Sequence, residues 1–395
     1  MLIIYVYLNL FYNTHRIMKF TVSSTELLSH LQAISRVINS KNSLQILDNF
    51  LLKLEGNTLT MTASDIETTM ITSMEVQEVE GSGQVAVANK LLLDTLREFS
   101  EQPLTFNIDD SNLAMVITSA NGTYNFIGQN GDMYPQLPQL DENARALSIE
   151  VPTLLNGISK TFFSMADDEL RPVMNGIYFD IAFEKLIMVA TDAHKLVRFN
   201  TKYTSASIKE GETMNFILPK KPAVLLKSIL PKEAGEVEIK FDEKNAYFQL
   251  SNYTMVCRQV EGRYPNYNGV IPKNNPHKII VDRNSLLNAL KRVSVFSNQA
   301  SNLIKLEFGS NTIQISAQDI DFSISAEETI ECNYEGEPIK IGFKSTFMVE
   351  MLANIDSNEI ILELADPSRA GIILPSVNEE NEEVLMLLMP MLLND

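Results

Sequence analysis

Asp192 and His194 are the residues of this 395-residue chain whose types and spacing come nearest to catalytic chemistry. Within Thr191-Asp192-Ala193-His194-Lys195-Leu196 they would begin a carboxylate–imidazole dyad or supply two ligands to a metal. Neither reading gathers further members. His15, His30 and His277 are remote in sequence, and two cysteines, Cys257 and Cys332, exclude a disulfide scaffold and a multi-cysteine zinc site. Asp65 and Asp319 stand at the same place in two similar segments, 127 residues to either side of Asp192. A residue type kept in three copies of one segment points to turn chemistry more than to catalysis. No GxxxxGK[ST] phosphate loop, HExxH helix or GxSxG elbow occurs, and the glutamates flanking Asn381 lack the alternation of a calcium loop. Cys257, in an alternating stretch, reads as a small core residue. The expectation is a binding protein with no catalytic residues, no cofactor and no metal.

The elements around these aspartates repeat three times. FTVSSTELLSHLQAISRVI from Phe20, LSIEVPTLLNGISKTFFSMA from Leu147 and IIVDRNSLLNALKRVSVFSN from Ile279 each read as a short strand and an amphipathic helix. Each carries a Leu-Leu pair, at Leu27-Leu28, Leu154-Leu155 and Leu286-Leu287. Asp282 and Ser24 or Thr25 suit N-caps. A hairpin ending in the repeated aspartate follows each helix, with apolar and polar residues alternating. A second strand and helix come next, with Lys90, Lys221 or Lys344 at the helix start. Gly131-Asp132-Met133-Tyr134-Pro135 and Glu261-Gly262-Arg263-Tyr264-Pro265 match at a spacing of 130. The pattern predicts three α+β domains, each with two helices covering antiparallel sheet. Boundaries near 139–143 and 269–272 give domains at 18–140, 141–269 and 270–395. Residues 1–17 read as an extension outside the fold, with Met18 as the start.

Composition is globular: 45% hydrophobic, 21% charged, with 16 Gly and 15 Pro. The apolar run near the N-terminus is shorter than the roughly 20 residues a spanning helix needs. Net charge is −18, which taken alone argues against nucleic acid. The charge is segregated, however. Windows around the six helices (24–41, 90–100, 152–164, 220–230, 282–297 and 343–354) hold twelve basic residues and five acidic ones, whereas the rest holds 20 and 45. One reading has six basic helices facing a polyanion, bound without sequence preference, with acidic sheets outside. The other has lysines that merely solvate helix faces, and charge alone leaves both open. At the C-terminus, Val384 to Leu393 is strongly apolar, and Met389-Pro390-Met391 cannot continue a strand ladder because proline lacks the donor. Its methionines suit an adaptable apolar pocket.

These features together resemble the bacterial beta sliding clamp family, the processivity subunit of DNA polymerase III. The resemblance spans residues 18–395 and rests on the MKFTV start at Met18, the threefold repeat, Thr191 to Leu196, Gly262-Arg263-Tyr264-Pro265 and the Met389-Pro390-Met391 ending. It implies a head-to-tail homodimer closed into a six-domain ring that encircles duplex DNA without sequence specificity. The ring would tether the replicative polymerase alpha subunit and be opened by an ATP-dependent clamp loader. Other polymerases and repair proteins would dock through a short motif with a glutamine and a Leu-Phe pair. The setting would be cytoplasmic, at the nucleoid.

Carried over by motif, the peptide pocket would use Met174, Thr191, His194, Lys195, Leu196, Pro265, Val270, Met389, Pro390 and Met391. DNA contact would fall to Lys41, Lys90, Arg171, Lys220 and Lys221. The dimer would join the Tyr124 region to Val295 and Phe296 of a second chain. The chain departs from the family pattern at Ala193 (usually glycine), Lys195 (usually arginine) and Leu392 (usually arginine), and in the Asn394-Asp395 extension. Pro172 and Val173 stand where some relatives carry tyrosines. Two other readings compete: an acidic three-domain peptide-binding scaffold without DNA association, and a hydrolase built on Asp192 and His194.

Overall fold

Strict alternation makes the first strand. In Ile17–Ser23 the side chains of Met18, Phe20 and Val22 are buried and those between them are not, so one face of the strand enters a core. The computed structural model describes residues 17–168, 170–203 and 208–393. Ile17, which the sequence reading put in the extension, is already in this strand and lies opposite Asp109. The rest of the extension and Asn394-Asp395 lie outside the described residues. Ser23 ends the strand and caps helix α1 (Ser24–Ser35), its Oγ accepting the Glu26 N–H at 3.1 Å. The cap is thus one residue earlier than Ser24. Ser24 is buried, and its hydroxyl donates to the Ser100 carbonyl at 2.9 Å and accepts the Gln102 N–H at 3.1 Å.

The chain divides into two compact units, residues 1–151 with 228–258, and 152–227 with 259–395. The first unit holds a five-stranded sheet in the order Gln77–Glu80, Ile17–Ser23, Pro103–Asp109, Ala114–Thr118, Thr123–Ile127. It also holds a nine-stranded sheet, in the order Gln129–Asn130, Gly83–Ala88, Asn49–Glu55, Thr58–Ser64, Thr68–Glu75, Tyr253–Arg258, Asn245–Gln249, Glu236–Phe241, Arg145–Glu150. Helix α1 packs against α2 (Asn89–Arg97), with Leu27, Leu31 and Ile34 of α1 and Leu92, Leu93 and Leu96 of α2 buried. Each sheet pair in this unit is antiparallel.

The second unit holds an eight-stranded sheet in the order Thr213–Pro219, Gly176–Ala182, Lys185–Thr191, Lys195–Lys202, Glu382–Leu388, Gly371–Pro375, Glu359–Leu364, His277–Asp282. A four-stranded sheet runs Ile324–Glu331, Thr312–Asp319, Leu303–Gly309, Ile339–Lys344. Most of α3 (Val151–Thr161) and of α4 (Lys220–Ile229) belongs here, with α5 (Arg283–Ser294) packed on α6 (Ser345–Ala353). Helix α3 reaches its sheet through Gly157: a Cβ there would come within 2.3 Å of the Met188 sulfur. Asp282 caps α5, accepting the Ser285 N–H at 2.7 Å. Each repeat therefore supplies two helices and antiparallel sheet, as its sequence pattern predicts.

The units do not follow the repeats, because sheets run through the repeat junctions. Thr68–Glu75 of the first repeat pairs with Tyr253–Arg258, the last strand of the second, with Met70 opposite Met255. Lys195–Lys202 of the second repeat pairs with Glu382–Leu388, the last strand of the third, with Val197 opposite Met386. By the same repeat logic the remaining two strands are Ile324–Glu331 and Thr123–Ile127. Each of these is the edge of its own sheet.

Two outcomes follow from the packing. Phe199→Ala, at a fully buried site in Lys195–Lys202, should lower unfolding free energy by about 3–5 kcal/mol, whereas Leu91→Ala, at an exposed helix position, should stay within about 0.5 kcal/mol in the same denaturant titration. Asp282→Ala should cost about 1 kcal/mol at neutral pH. Hydrogen bonds from Ser285 hold the Asp282 carboxyl below its ordinary pKa. Its contribution is therefore present above the unfolded-state value and lost as pH falls through the folded one, so the two proteins should converge in acid.

Candidate functional site

The loop from Thr191 to Lys195 is built by its own side chains. Asp192 Oδ1 accepts the N–H groups of His194 at 2.9 Å and Lys195 at 2.8 Å. Thr191 Oγ1 donates to the Lys195 carbonyl at 2.7 Å and accepts the Ala193 N–H at 3.1 Å. Ala193 is left at φ +75°, a left-handed conformation that costs an L-residue about 1–2 kcal/mol. The first repeat makes the same loop: Asp65 Oδ1 accepts the Thr68 N–H at 2.7 Å, Ser64 Oγ accepts the Ile66 N–H at 3.1 Å, and Ile66 has φ +81°. The recurring aspartate is thus a turn residue. His194 turns its exposed ring toward Phe347, with centroids 6.3 Å apart, and among the described residues no cluster of three or more His, Cys, Asp or Glu could hold a metal.

Beside this loop lies an apolar sheet face in the second unit. Alternation and register place three rows of side chains on it. Thr191, Leu196, Leu387 and Ile372 form the row nearest the loop. Ile217, Tyr178, Val189, Arg198 and Leu385 form the next. Asp180, Ile187, Asn200 and Glu383 form the third. Loop residues cover part of the face: Val173, Tyr264, Tyr267 and Ile271 pack onto it. Tyr264 stacks on Tyr178 at 4.6 Å, and its hydroxyl donates to the Val189 carbonyl at 3.3 Å. The Tyr267 hydroxyl donates to Asp180 at 2.6 Å, and burial pushes both phenols well above their ordinary pKa.

The residues expected at a peptide pocket fall around this face with one exception. Thr191 and Leu196 are in its first row. Met174 is in the turn Pro172–Met174 beside Val173, Pro265 follows Tyr264, and Val270 precedes Ile271 with more than half its surface exposed. Met389 donates its N–H to the His194 carbonyl at 2.8 Å. Pro390 then breaks the pairing with Lys195–Lys202, and Met391 restarts it with Gly342, N–H to carbonyl at 2.8 Å. The chain end is therefore a crossing from the eight-stranded sheet to the edge of the four-stranded one. Lys195 is the residue that stands apart from this face. Alternation turns it away from Leu196 into the opposite face, where it is buried. Its Nζ donates to the Phe163 carbonyl at 2.8 Å, pairs with Glu350, and lies 4.9 Å from the Phe347 ring centroid. Its charge is engaged with Glu350 of α6. The motif reading did not reach Leu387, Leu385, Ile372, Val189 or Arg198. The alternation of Leu196, Arg198 and Asn200 was the available signal, but only register shows what stands beside them.

The expected cations are at helix starts and loops. Lys90 is in the first turn of α2, and Lys220 and Lys221 open α4. Lys344 is the N-cap residue of α6, its ammonium 4.5 Å from the Phe347 ring centroid. A helix N-terminus already carries about half a positive charge, so lysine there disfavours the helix by about 0.3–1 kcal/mol and suits an anion instead. Lys41 is exposed after α1. Lys220 lies 3.3 Å from Asp167, and Arg171 is paired with Asp168 at 2.9 Å. The edge strands carry exposed apolar groups: Tyr124 and Ile127 on one, Ile324 on the other with Ile320 and Phe322 before it. Val295 and Phe296, just beyond α5, are exposed too.

Repeated two-helix domains, a cation-rich set of helix starts and an apolar cleft beside a rigid turn define a protein that holds other macromolecules. Comparison with known proteins says which kind. Three families match in tandem: the DNA polymerase III beta subunit N-terminal domain over residues 18–138, the central domain over 148–266 and the C-terminal domain over 268–391. The beta sliding clamp of Pseudomonas putida is 25% identical over 372 residues, 93% of this chain and 99% of that protein. That of Staphylococcus aureus is 25% identical over 381 residues, 94% and 99%. The sliding clamp of Bartonella birtlesii, solved bound to griselimycin, superimposes with TM-score 0.88 at 27% identity, covering 95% of this chain and all of that one. The chain belongs to the DNA polymerase III beta subunit family. It is a sliding clamp of DNA replication and not an enzyme.

Ala193→Gly should raise stability by up to about 1 kcal/mol, since relief of the left-handed strain exceeds the entropy glycine adds to the unfolded chain. Thermal melts of the two proteins check this, and an unchanged or lower midpoint would show that the loop is not strained.

Proposed function

We propose that two chains close head to tail by pairing Thr123–Ile127 of one with Ile324–Glu331 of the other. The observation that carries this is the pair of unfilled sheet edges. Five strands and four would join into nine, the number in the sheet that spans the first repeat junction. Tyr124 and Ile127 would meet Val295, Phe296, Ile320 and Phe322 of the partner, removing exposed apolar surface at two identical head-to-tail joints. Light scattering should give twice 44.4 kDa for the native chain, and Phe322→Glu with Phe296→Glu should give the single-chain mass. A native monomer at micromolar concentration would sink the closure.

The closed ring encircles duplex DNA, with Lys41, Lys90, Lys220, Lys221 and Arg171 turned to phosphates. Lysines at helix starts support this reading, because they cost helix stability and repay it only with an anion. Contacts to phosphate carry no sequence information, so the ring slides. Lys220→Glu with Lys221→Glu should weaken DNA association and flatten its log–log salt dependence by about 2, near 0.9 per lost phosphate contact. An unchanged slope removes both from the DNA face. Loaded rings should stay on closed circles and leave once the circle is cut. Equal retention would favour simple binding.

The apolar face by the Thr191–Lys195 loop takes a short partner segment with a glutamine and a Leu-Phe pair. The apolar pair would sit over Leu196 and Leu387, between Val270 and Pro265 on one side and His194, Met389, Pro390 and Met391 on the other. Anchoring by two large side chains in a preformed pocket concentrates binding energy in few contacts. The replicative polymerase alpha subunit, the ATP-dependent loader and repair polymerases are the partners this reading expects, in the cytoplasm at the nucleoid. Leu387→Asp should lower affinity for a fluorescent Gln/Leu-Phe peptide by more than tenfold without changing the dimer mass. Unchanged affinity would place the pocket elsewhere.

A further inference from the structure

Two of the cations expected at DNA already have an anion of this chain beside them. Lys220 Nζ lies 3.3 Å from Asp167, and Arg171 Nε donates to Asp168 Oδ2 at 2.9 Å. The loop that carries both carboxylates is fastened to the start of α4. The Asn175 carbonyl accepts the Lys220 N–H at 3.1 Å. The Asn175 side chain accepts the Asp168 N–H at 3.1 Å and donates to the Asp168 carbonyl at 3.0 Å. Asp168 Oδ1 accepts the Leu170 N–H at 2.9 Å, which leaves Oδ2 for Arg171. The Leu170 N–H, and Arg171 after it, hold the Asp168 carboxyl below its ordinary pKa, so it is charged at neutral pH. The carboxylates are thus placed at the cations by backbone bonding as well as by charge.

We infer that Asp167 and Asp168 are built-in stand-ins for phosphate, which hold Lys220 and Arg171 in the free protein and limit how firmly the ring grips DNA. This rests on the reading of Lys220 and Arg171 as DNA contacts. Both pairs are open to water, with the Lys220 and Arg171 side chains a little under half exposed. Exposed ion pairs are weak, so an arriving phosphate can displace the carboxylates. Displacement still carries a penalty. The pair is lost, and the freed carboxylate stays within screening distance of the phosphate that replaced it. The Asp167 side chain, nine-tenths exposed, can turn to solvent. Asp168 is tethered by the Leu170 N–H and the Asn175 amide, so it remains close and repels. Each cation therefore passes from a fixed carboxylate to a phosphate and back without standing bare in between. That exchange suits a ring that must release one phosphate to reach the next.

The test is a mutant cycle read as the dissociation constant of the full chain for a fluorescent DNA duplex, by anisotropy at low salt. Asp167→Asn with Asp168→Asn should tighten binding about three- to tenfold, and the gain should shrink as salt rises. Asparagine keeps the oxygen that accepts the Leu170 N–H, so the melting midpoint should not move. Asp167→Asn alone, at the more exposed of the two side chains, should give part of the gain and guards against any disturbance of the loop by the Asp168 change. The same two asparagines are then placed in Lys220→Gln with Arg171→Gln. There the gain should fall below about twofold, because no cation remains to be released. An equal gain in both backgrounds means that the aspartates act only through net charge, and overturns the inference. So does the absence of any gain in the native background. If Lys220→Gln with Arg171→Gln leaves DNA binding unchanged, the DNA face itself is misplaced, and the inference falls with it.

Discussion

Backbone hydrogen bonding at strand edges organises this protein. A sheet edge left open is a row of unmet donors and acceptors, and here the repeats meet those needs in one another. Thr68–Glu75 finds Tyr253–Arg258, and Lys195–Lys202 finds Glu382–Leu388. The junctions are continuous sheet and not linkers, so the compact units cut across the repeats. One strand of each kind is left over, and that surplus is what makes a two-chain assembly the natural completion of the fold. Three repeats in a row have two internal junctions and two free ends. In the proposed closure a second chain supplies the missing partner for both.

The same arrangement explains how an acidic protein serves DNA. Net charge of −18 would repel phosphate if it were spread evenly. Instead the helix windows carry an excess of cations, twelve against five acidic residues, several at positions where the helix dipole makes them unfavourable. Lys90, Lys220 and Lys221 stand in the first turns of α2 and α4, where a cation disfavours the helix. The acidic groups fall on strands and loops, as along Ile324–Glu331. In the proposed ring, weak and unspecific attraction on the helices combined with closure by sheet would give retention by topology, which needs no tight bond to DNA.

The cleft depends on a different constraint, a turn held rigid by Asp192 and Thr191 at the expense of strain in Ala193. The turn sets where His194 and the Met389 amide stand. On the far side of the same strand, Lys195 is held by Glu350, the Phe163 carbonyl and the Phe347 ring, so the strand that floors the cleft is pinned from beneath. A buried cation whose partner is removed is costly, which ties the cleft to α6 without any ligand contact. Pro390 completes the rim by ending one ladder so that Met391 can begin another at Gly342.

Much of this was legible in the residues alone. Period-2 and period-3.6 patterning, repeated at 127 residues, determined three two-helix domains, and the recurrence of Asp65, Asp192 and Asp319 marked them as turn residues. Such features are local: they follow from the conformational preferences of a few neighbouring residues and survive any arrangement of the rest. The first cap was misread by one residue because Ser24 is drawn into the core by Ser100 and Gln102, partners 76 and 78 residues away. The surroundings of Lys195 were illegible for a related reason. Motif order placed it beside His194, but strand alternation and a partner 155 residues on decide which face it serves. Arg198, Leu385 and Leu387 become one surface only through register between strands far apart in the chain. That Thr123–Ile127 and Ile324–Glu331 lie at sheet edges likewise appears only in the tertiary structure. Sequence determined the elements and the division of charge between them, whereas tertiary structure alone decided the faces, because long-range backbone pairing chooses which side chains stand together.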